Sequence, residues 1–320
     1  MTLAALGWNG EWQRKFEPYC SDRLAPGRVV GEHRTHYQVN TGEIELSAEI
    51  TGRLRNSADQ RSDLPGVGDF VAVRPADGDG PATIEAVLAR TSALIRKASG
   101  EERPQLLAAN VDIAFIVMGL DGDYNLARLK RFLAVVQESG AAPVIVANKV
   151  DLFGEAEIVK EVGEAAGGVP VHPISARDGS GVHALEVYFE GNRTAVLIGS
   201  SGVGKSTLTN QLLGRAAQAT QEVRAHDSRG RHTTTHRQLF LRPNGGAMID
   251  TPGMRGLETW NAKEVVAANF EDIEALAGAC RFRDCQHRSE PGCAVLAAVA
   301  RGELDAGRVA AFISAPRRAR

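Results

Sequence analysis

Short runs in which apolar and polar residues alternate fill residues 26–98, and residues that favour turns separate them. Alternation with a period of two is the pattern of half-buried β-strands. It predicts four strands, at Tyr37–Asn40, Glu43–Ile50, Asp69–Arg74 and Thr83–Leu88. Short strands at this spacing favour a small closed barrel, and we expect an OB-fold-like domain over residues 26–98.

The first 25 residues carry large aromatic side chains near helical spacing, at Trp8, Trp12, Phe16 and Tyr19. Such a stripe more often packs on a neighbouring core than binds a partner. We therefore predict a helical extension over residues 1–25 that docks on its neighbour. Cys20 is expected to be a buried or inert thiol.

From about residue 102 the pattern changes to alternating strands and helices. Apolar β-branched runs predict buried parallel strands, and apolar residues at helical spacing predict the helices. The predicted strands are Val111–Met118, Val144–Ala147, Val169–Ile174, Thr194–Ile198, Gln238–Leu241 and Ala247–Ile249. The predicted helices are Tyr124–Ser139, Glu155–Ala166 and Lys205–Leu213. This alternation favours a multidomain α/β protein with a doubly wound sheet over residues 102–258.

The remaining residues, 259–320, have a helical pattern and end in a basic tail. Helices are predicted at Ala262–Phe270, Ile273–Ala277 and Val295–Arg301.

Composition restricts the cellular setting. The 320 residues carry a formal net charge of −2, so a nucleic-acid contact would depend on local basic patches. No apolar run approaches the ~20 residues that cross a bilayer, and the first ten residues lack the pattern of a signal peptide. Three of the four cysteines lie between residues 280 and 293, which favours a metal site in a reducing compartment over disulfides. We expect a cytoplasmic monomer without membrane contact.

A glycine-rich segment has the context of a phosphate loop, because it follows an apolar strand and opens a helix. Its backbone N–H groups and the helix N-terminus would face phosphate oxygens. Lys205 is expected to reach the β- and γ-phosphates, and the Ser206 hydroxyl to bind Mg²⁺. The nucleotide-binding residues predicted here are Gly199, Ser200, Ser201, Gly202, Val203, Gly204, Lys205, Ser206 and Thr207.

A second motif, Asn148-Lys149-Val150-Asp151, follows another buried strand. The Asp151 carboxylate can accept from both N1–H and the exocyclic amine of guanine, a donor pair that adenine lacks. Asn148 is expected to tie this loop to the phosphate loop and the base, and the Lys149 stem to cover the base face. Ser175 and Ala176, after the next strand, fit the loop whose backbone N–H meets guanine O6.

The two motifs stand in inverted order. In most GTPases the phosphate loop comes first, but here the base-recognition motif at residue 148 precedes the phosphate loop at residue 199. This order indicates a circularly permuted GTPase.

Two further segments fit the switches of a GTPase. Asp250-Thr251-Pro252-Gly253 follows an apolar strand, where Asp250 would hold Mg²⁺ through water and the Gly253 N–H would sense the γ-phosphate. Thr234, in a threonine-rich segment, is the predicted second Mg²⁺ ligand and catalytic element. Met254 cannot orient the attacking water, so either intrinsic hydrolysis is slow or another group does this. His232 is the candidate, and an exposed switch-loop histidine is the alternative.

The spacing Cys280-x4-Cys285-x-His287-x5-Cys293 places three thiols and an imidazole close in sequence. This is a tetrahedral zinc set, and four protein ligands predict a closed, structural site.

Together these motifs resemble the ribosome small-subunit-dependent GTPase A family (RsgA, also called YjeQ) over nearly the whole chain. The features that carry the resemblance are Leu64-Pro65-x-Val67-Gly68-Asp69, Asn110-Val111-Asp112, Gly230–Thr235 and the cysteine spacing. The resemblance implies an OB-like barrel, a permuted P-loop G domain and a C-terminal zinc-binding domain. It also implies GTP hydrolysis stimulated by the 30S subunit, a role in late 30S maturation, and 16S rRNA contacts.

Other functions fit parts of the sequence. Permuted GTPases also act in large-subunit assembly, and phosphate loops also serve metabolic nucleotide-hydrolysing enzymes, against which Asp151 argues. A zinc-dependent DNA binder is disfavoured by the single short knuckle. Comparing GTP with ATP, and 30S particles with 50S particles or DNA, separates these alternatives.

Overall fold

The computed structural model divides the chain into two compact units, Met1–Trp260 and Asn261–Arg320. The residues it describes are 2–20, 23–33, 35–76, 78, 80–96, 105–121, 123–152, 155–200, 202–214, 237–250, 273, 276–282, 285–288, 290–301, 304 and 309.

Five strands close into a barrel in the first unit: β1 (Ala25–Glu32), β2 (Tyr37–Asn40), β3 (Glu45–Ile50), β4 (Phe70–Arg74) and β5 (Ala82–Val87). Their order is β1-β2-β3-β5-β4, and pairing of β1 with β4 closes the ring. The predicted OB-like barrel is therefore confirmed. The sequence pattern missed β1, because Pro26, Gly27 and Gly31 interrupt its alternation and Arg28 is buried within it.

Helix α1 (Gly10–Phe16) packs on this barrel. Trp12 and Phe16 are both buried, and the Trp12 ring centroid lies 4.4 Å from that of Phe70 in β4. The predicted docking of the N-terminal aromatic stripe is thus confirmed. Cys20, however, is exposed, so it is not the buried thiol of the first alternative, and an inert thiol stays a prediction.

One helix and one strand pair were not predicted from the sequence. Helix α2 (Gly52–Ser57) begins where the Thr51 hydroxyl accepts from the N–H of Leu54. Strands β6 (Ala93–Arg96) and β7 (Gln105–Ala109) form a separate antiparallel pair.

Among its described residues, the α/β part contains six strands: β8 (Ile113–Gly119), β9 (Ala142–Asn148), β10 (Val171–Ile174), β11 (Thr194–Ile198), β12 (Arg237–Leu241) and β13 (Ala247–Asp250). Its helices are α3 (Leu126–Ser139), α4 (Glu155–Ala166) and α5 (Lys205–Leu213). The order β10-β9-β8-β11-β13-β12 is parallel except for β12. Buried residues of α3 and α4 pack in one core, and those of α5 pack in another. Successive residues of β8 contribute alternately to these two cores. The predicted doubly wound sheet is confirmed.

Backbone hydrogen bonds join the barrel to this sheet. Strand β1 pairs antiparallel with β12, with Gly31 opposite Gln238 and Glu32 opposite Arg237. The Arg237 guanidinium also donates to the Glu32 carboxylate at 2.9 Å. The eleven strands therefore form one continuous hydrogen-bonded sheet.

Two sequence signatures meet at the junction of barrel and sheet. The fully buried Asp69 carboxylate accepts from Nε and Nη2 of Arg90 at 2.8 and 2.7 Å, and from the N–H of Gly66 at 2.9 Å. The Asn110 amide donates to the Gly68 carbonyl at 3.2 Å. The Leu64–Asp69 and Asn110–Asp112 signatures therefore shape this junction.

Arg28 forms a second, fully buried connection. Its guanidinium donates to the carbonyls of Leu6 (2.5 Å), Gly68 (3.1 Å) and Asn110 (3.1 Å) and to the hydroxyl of Thr194 (2.7 Å). Burial lowers the pKa of Arg28 to about 10. One side chain thus ties the N-terminal extension, the barrel and the start of β11 together.

In the second unit, helix α6 (Ala294–Ala300) is found where Val295–Arg301 was predicted. Ile273, Leu276 and Ala277 are helical, as predicted for that segment, while the predicted helix Ala262–Phe270 lies outside the described residues. Buried side chains of this unit include Ile273, Val295 and Ala298. Among the described residues of both units, every helix is too short or too polar to cross a membrane.

Candidate functional site

The candidate nucleotide site lies at the carboxyl edge of the α/β sheet. The neighbouring strands β8 and β11 are followed by helices that pack on opposite faces. In doubly wound folds, ligands bind next to such a pair of strands, where the order of the strands along the sheet reverses. Strands β8, β9, β11 and β13 all end at this edge, because they run parallel.

The phosphate loop depends on two glycines. Gly199 has φ +151°, and a Cβ there would lie 2.3 Å from the Val117 carbonyl oxygen. Gly204 has φ +96°, and a Cβ there would lie 2.3 Å from the Asn148 amide nitrogen. Any larger residue would push the loop away from its neighbours.

Helix α5 begins at Lys205, directly after this loop. The Lys205 ammonium donates to the carbonyl of Gly199 at 2.6 Å and to that of Ser200, so it lies over the loop. Ser206 and Thr207 are exposed in the first turn of α5, where backbone N–H groups have no helical partner. Ser201 lies outside the described residues.

Asn148, at the end of β9, joins the predicted loops. Its side-chain amide donates to the Val203 carbonyl in the phosphate loop at 2.7 Å. Its side-chain oxygen accepts from the backbone N–H of Ala176 at 2.8 Å. Ser175 is fully buried beside it. The expected tie between the Asn148 loop and the phosphate loop is present.

Lys149 and Asp151 follow Asn148 in the base-recognition loop. Lys149 has φ +73°, and its ammonium pairs with the Asp121 carboxylate at 2.5 Å. The hydrogen bond from Lys149 lowers the pKa of Asp121. Asp151 lies exposed on a short turn, Val150–Leu152, with its carboxylate accessible from solvent.

Asp121 and Asp123 also lie in this region and were not predicted from the sequence. Asp121 contacts Lys149, and Asp123 accepts from the Ser200 hydroxyl at 3.2 Å. The available signal was a pair of carboxylates directly after the buried strand β8.

The switch residues are only partly described. Asp250 ends β13, which runs parallel to β11 and therefore reaches the same edge as the phosphate loop. Gly253, Thr234 and His232 lie outside the described residues.

The cysteine and histidine side chains of the second unit converge. The ligand atoms of Cys280, Cys285, His287 and Cys293 all lie within 4.8 Å of one another. The Cys280 and Cys293 sulfurs are 3.8 Å apart, and the His287 Nδ1 lies 3.6 and 3.4 Å from them. A tetrahedral zinc with ordinary bond lengths has S···S and S···N edges of about 3.8 and 3.6 Å. The cluster therefore has the size and chemistry of a metal site.

Local backbone geometry builds this cluster. His287 adopts φ +58°, which turns its ring toward the cysteines. Cys293 is the N-cap of α6, where its sulfur accepts from the N–H of Leu296 at 3.4 Å. Burial disfavours the Cys280 thiolate, but hydrogen bonds from the backbone of Val295 and Ala294 outweigh it and lower the pKa of Cys280. These hydrogen bonds favour the thiolate of Cys280, the form that binds metal.

Fold and site together define the class of protein. The base-recognition motif ends β9 and the phosphate loop follows β11, yet β9 precedes β11 in the chain. This is a circularly permuted P-loop G domain, preceded by an OB-like barrel and followed by a Cys/His cluster that could hold zinc.

Known proteins are similar to this chain over nearly its whole length. A family model described as RsgA GTPase matches residues 87–260. A protein of Opitutus terrae named small ribosomal subunit biogenesis GTPase RsgA is 45% identical over 98% of this chain and 88% of its own length. A protein of the same name from Xanthomonas axonopodis pv. citri is 43% identical, over 98% of this chain and 87% of its own.

A solved structure agrees with these sequence matches. The crystal structure of YjeQ from Thermotoga maritima matches with a TM-score of 0.60 at 28% identity, over 91% of this chain and 96% of that chain. The chain belongs to the RsgA GTPase family, and as a member of that family it is a GTP hydrolase.

Proposed function

We propose that this GTPase acts in late maturation of the small ribosomal subunit and that its hydrolysis is stimulated by that subunit. The relatives from Opitutus terrae and Xanthomonas axonopodis are named for small-subunit biogenesis. Those names do not favour the large-subunit alternative. The Asp151 carboxylate, which matches the donor pair of guanine, argues against a metabolic ATP-hydrolysing enzyme.

The proposed nucleotide site rests chiefly on two hydrogen bonds of the Asn148 side chain, one to Val203 and one to Ala176. It brings the loops predicted for the phosphates, the base face and guanine O6 to one point. Guanine would then lie between the Lys149 stem and these loops, with Asp151 at its N1 edge. The phosphates would lie on the N–H groups of Gly199–Thr207, with Lys205 at the β- and γ-phosphates.

Bound GTP would bring Mg²⁺, and the nearby donors suit that ion. Mg²⁺ prefers oxygen ligands, and the Ser206 hydroxyl is exposed beside the phosphate loop while Asp250 ends a strand at the same edge. Thr234 would supply a second hydroxyl, and Gly253 would sense the γ-phosphate. His232 is our candidate for orienting the attacking water, because Met254 cannot.

The Cys280–Cys293 cluster would hold one structural zinc. Its four side chains leave no open ligand position, so the ion would stabilise the fold of the second unit and would not act in hydrolysis.

The domains would differ in what they bind. We assign residues 1–25 to the extension, 26–98 to the barrel, 102–258 to the G domain and 259–320 to the zinc-binding domain with its basic tail. The barrel and the zinc-binding domain would contact 16S rRNA, and the protein would act as a cytoplasmic monomer. Because residues 259–320 follow the Asp250–Gly253 motif in the chain, a γ-phosphate-dependent shift at Gly253 would reach them directly.

The decisive experiment measures GTP turnover by the purified protein with 30S particles, with 50S particles and with DNA. We expect stimulation by 30S alone, with GTP bound much more tightly than ATP and with turnover abolished in Lys205→Ala. Equal stimulation by 50S would remove the small-subunit role. Equal affinity for ATP would remove the guanine site. Protection footprints on 30S should also differ between GTP-analogue and GDP states, and identical footprints would contradict the proposed link through Gly253.

A further inference from the structure

A pair of carboxylates leaves the sheet between the two nucleotide loops. Strand β8 lies between β9 and β11, so the turn after it emerges between Asn148 and the phosphate loop. The N–H of Leu120 donates to the Asn148 carbonyl at 2.9 Å and fixes the start of this turn. We call Asp121 and Asp123 the acidic turn.

Asp121 faces the base-recognition loop. Its carboxylate pairs with the Lys149 ammonium at 2.5 Å, and both side chains are about three-quarters buried, at 29% and 23% exposure. The other carboxylate oxygen accepts from the N–H of Asp123 at 3.2 Å, which fixes its orientation. Lys149 has φ +73°, a conformation that costs free energy in a residue with a side chain. Asp121 therefore holds a strained residue only two positions before Asp151.

Asp123 faces the phosphate loop. Its carboxylate accepts from the Ser200 hydroxyl at 3.2 Å and pairs with the Arg128 guanidinium at 2.5 Å. Arg128 lies in the first turn of α3, whose N-cap is Asn125, so the carboxylate is anchored to a helix. Ser200 is 3% exposed, which leaves its hydroxyl little access to water.

We infer that the acidic turn is a positioning element of the nucleotide site: Asp121 sets the base-recognition loop through Lys149, and Asp123 sets the phosphate loop through Ser200. The inference rests on the nucleotide site proposed above and adds two residues to it. In this arrangement the carboxylates act through their partners and do not contact the nucleotide.

The direction of the change in nucleotide affinity distinguishes this positioning role from a simple effect of charge. A carboxylate close to a triphosphate repels it, so removing the charge would strengthen binding, most of all at low salt. If the carboxylates position the loops, the same substitutions weaken binding instead. Asp121→Asn and Asp123→Asn keep the side-chain shape and remove the charge, so they distinguish the two effects directly.

The test measures affinities of the full-length variants for GTP, GDP, GMP and ITP, which lacks the exocyclic amine. We expect both substitutions to weaken GDP binding about three- to tenfold. Asp121→Asn should also reduce the preference for GTP over ITP, because it loosens the loop that carries Asp151. Asp123→Asn should preserve that preference but cost more for GTP and GDP than for GMP. Asp59→Asn, an exposed aspartate of the barrel, is the matched control.

Double variants test whether each carboxylate acts through its proposed partner. Asp121→Asn should add little in a Lys149→Met background, and Asp123→Asn should add little in a Ser200→Ala background. Ser200→Ala alone also tests the second contact if Asp123→Asn fails to fold. Unchanged or stronger binding by the variants, or fully additive effects, would overturn the inference. Failure of the wild-type protein to bind GTP would instead overturn the proposed nucleotide site.

Discussion

The side-chain amide of Asn148 donates a 2.7 Å hydrogen bond to the backbone carbonyl of Val203. Asn148 is 2% exposed, and its other amide atom accepts from the N–H of Ala176 at 2.8 Å. With water excluded, each partner would lose its hydrogen bond if the side chain were removed. The positions of the base-recognition loop and the phosphate loop therefore depend on each other.

Asn148→Ala should loosen both loops together. It leaves the Val203 carbonyl and the Ala176 N–H without their partner, at a cost of about 2–4 kcal/mol. We expect GDP affinity to fall roughly 30-fold or more, which is the equivalent of 2 kcal/mol. Calorimetric titration with GDP measures this. Asn244→Ala, at an exposed turn asparagine, is the control and should bind like wild type. Equal affinities in the two variants would contradict the coupling.

Asp151→Asn should change which base is preferred. In the proposed site the carboxylate would accept two hydrogen bonds from guanine, whereas an amide in its place could donate one to the O2 carbonyl of xanthine. We expect GTP affinity to fall at least about tenfold and XTP affinity to rise. Competition between GTP and XTP for a fluorescent nucleotide measures both. Asp178→Asn, an exposed carboxylate near the Ser175–Ala176 loop, should retain the preference for GTP. A preference unchanged by Asp151→Asn would exclude that residue from base recognition.

Much of the fold could be predicted because its strands and helices carry strong periodic patterns. The helix Glu155–Ala166 and the strand Thr194–Ile198 match their predicted limits, since an apolar stripe or run defines each. Helix α3 starts at Leu126, later than predicted, because the Asn125 side chain caps it. Strand β1 was missed, because its pairing with β2, β4 and β12 stabilises a sequence without alternation.

The candidate site was predictable where a motif has a fixed spacing, as at Gly199–Ser206 and Cys280–Cys293. Asp121 and Asp123 could not be found in that way. The role inferred for them depends on β8 lying between β9 and β11, which is a property of strand order and not of local sequence.

His232→Ala should slow GTP turnover without weakening nucleotide binding. Loss of a group that positions or deprotonates water typically costs about 10²- to 10⁴-fold in rate. Single-turnover hydrolysis with and without 30S particles, together with GDP titration, separates the two properties. His183→Ala, at an exposed histidine of the same unit, is the control. Unchanged turnover under both conditions would remove His232 from the mechanism.

Asp69→Asn should destabilise the junction of barrel and sheet. Asp69 is fully buried and bidentate with Arg90, and breaking such a pair leaves a guanidinium without its counter-charge. We expect the free energy of unfolding to fall by about 3 kcal/mol. Glu85→Gln breaks the more exposed pair with Arg74 and should cost less than about 1 kcal/mol. Urea unfolding of both variants makes the comparison. Equal losses of unfolding free energy in the two variants would show that burial does not determine how much each ion pair contributes to stability.

Removal of zinc should unfold the core of the second unit. Cys285 and Cys293 pack in one cluster with Ile273, Val295 and Ala298, so the proposed ligands are also part of the apolar core. We expect one zinc per chain by elemental analysis. Chelation, or Cys285→Ser, should release the metal and make residues 261–320 sensitive to protease.

The control for the metal site is Cys20→Ser, which changes the one cysteine outside the cluster and should keep both zinc and protease resistance. GDP binding should survive loss of the metal, because the proposed nucleotide contacts belong to the first unit. A Cys285→Ser variant that keeps a full equivalent of zinc would show that the ion binds elsewhere. A variant that loses zinc but stays protease-resistant would show that the apolar contacts alone stabilise this core.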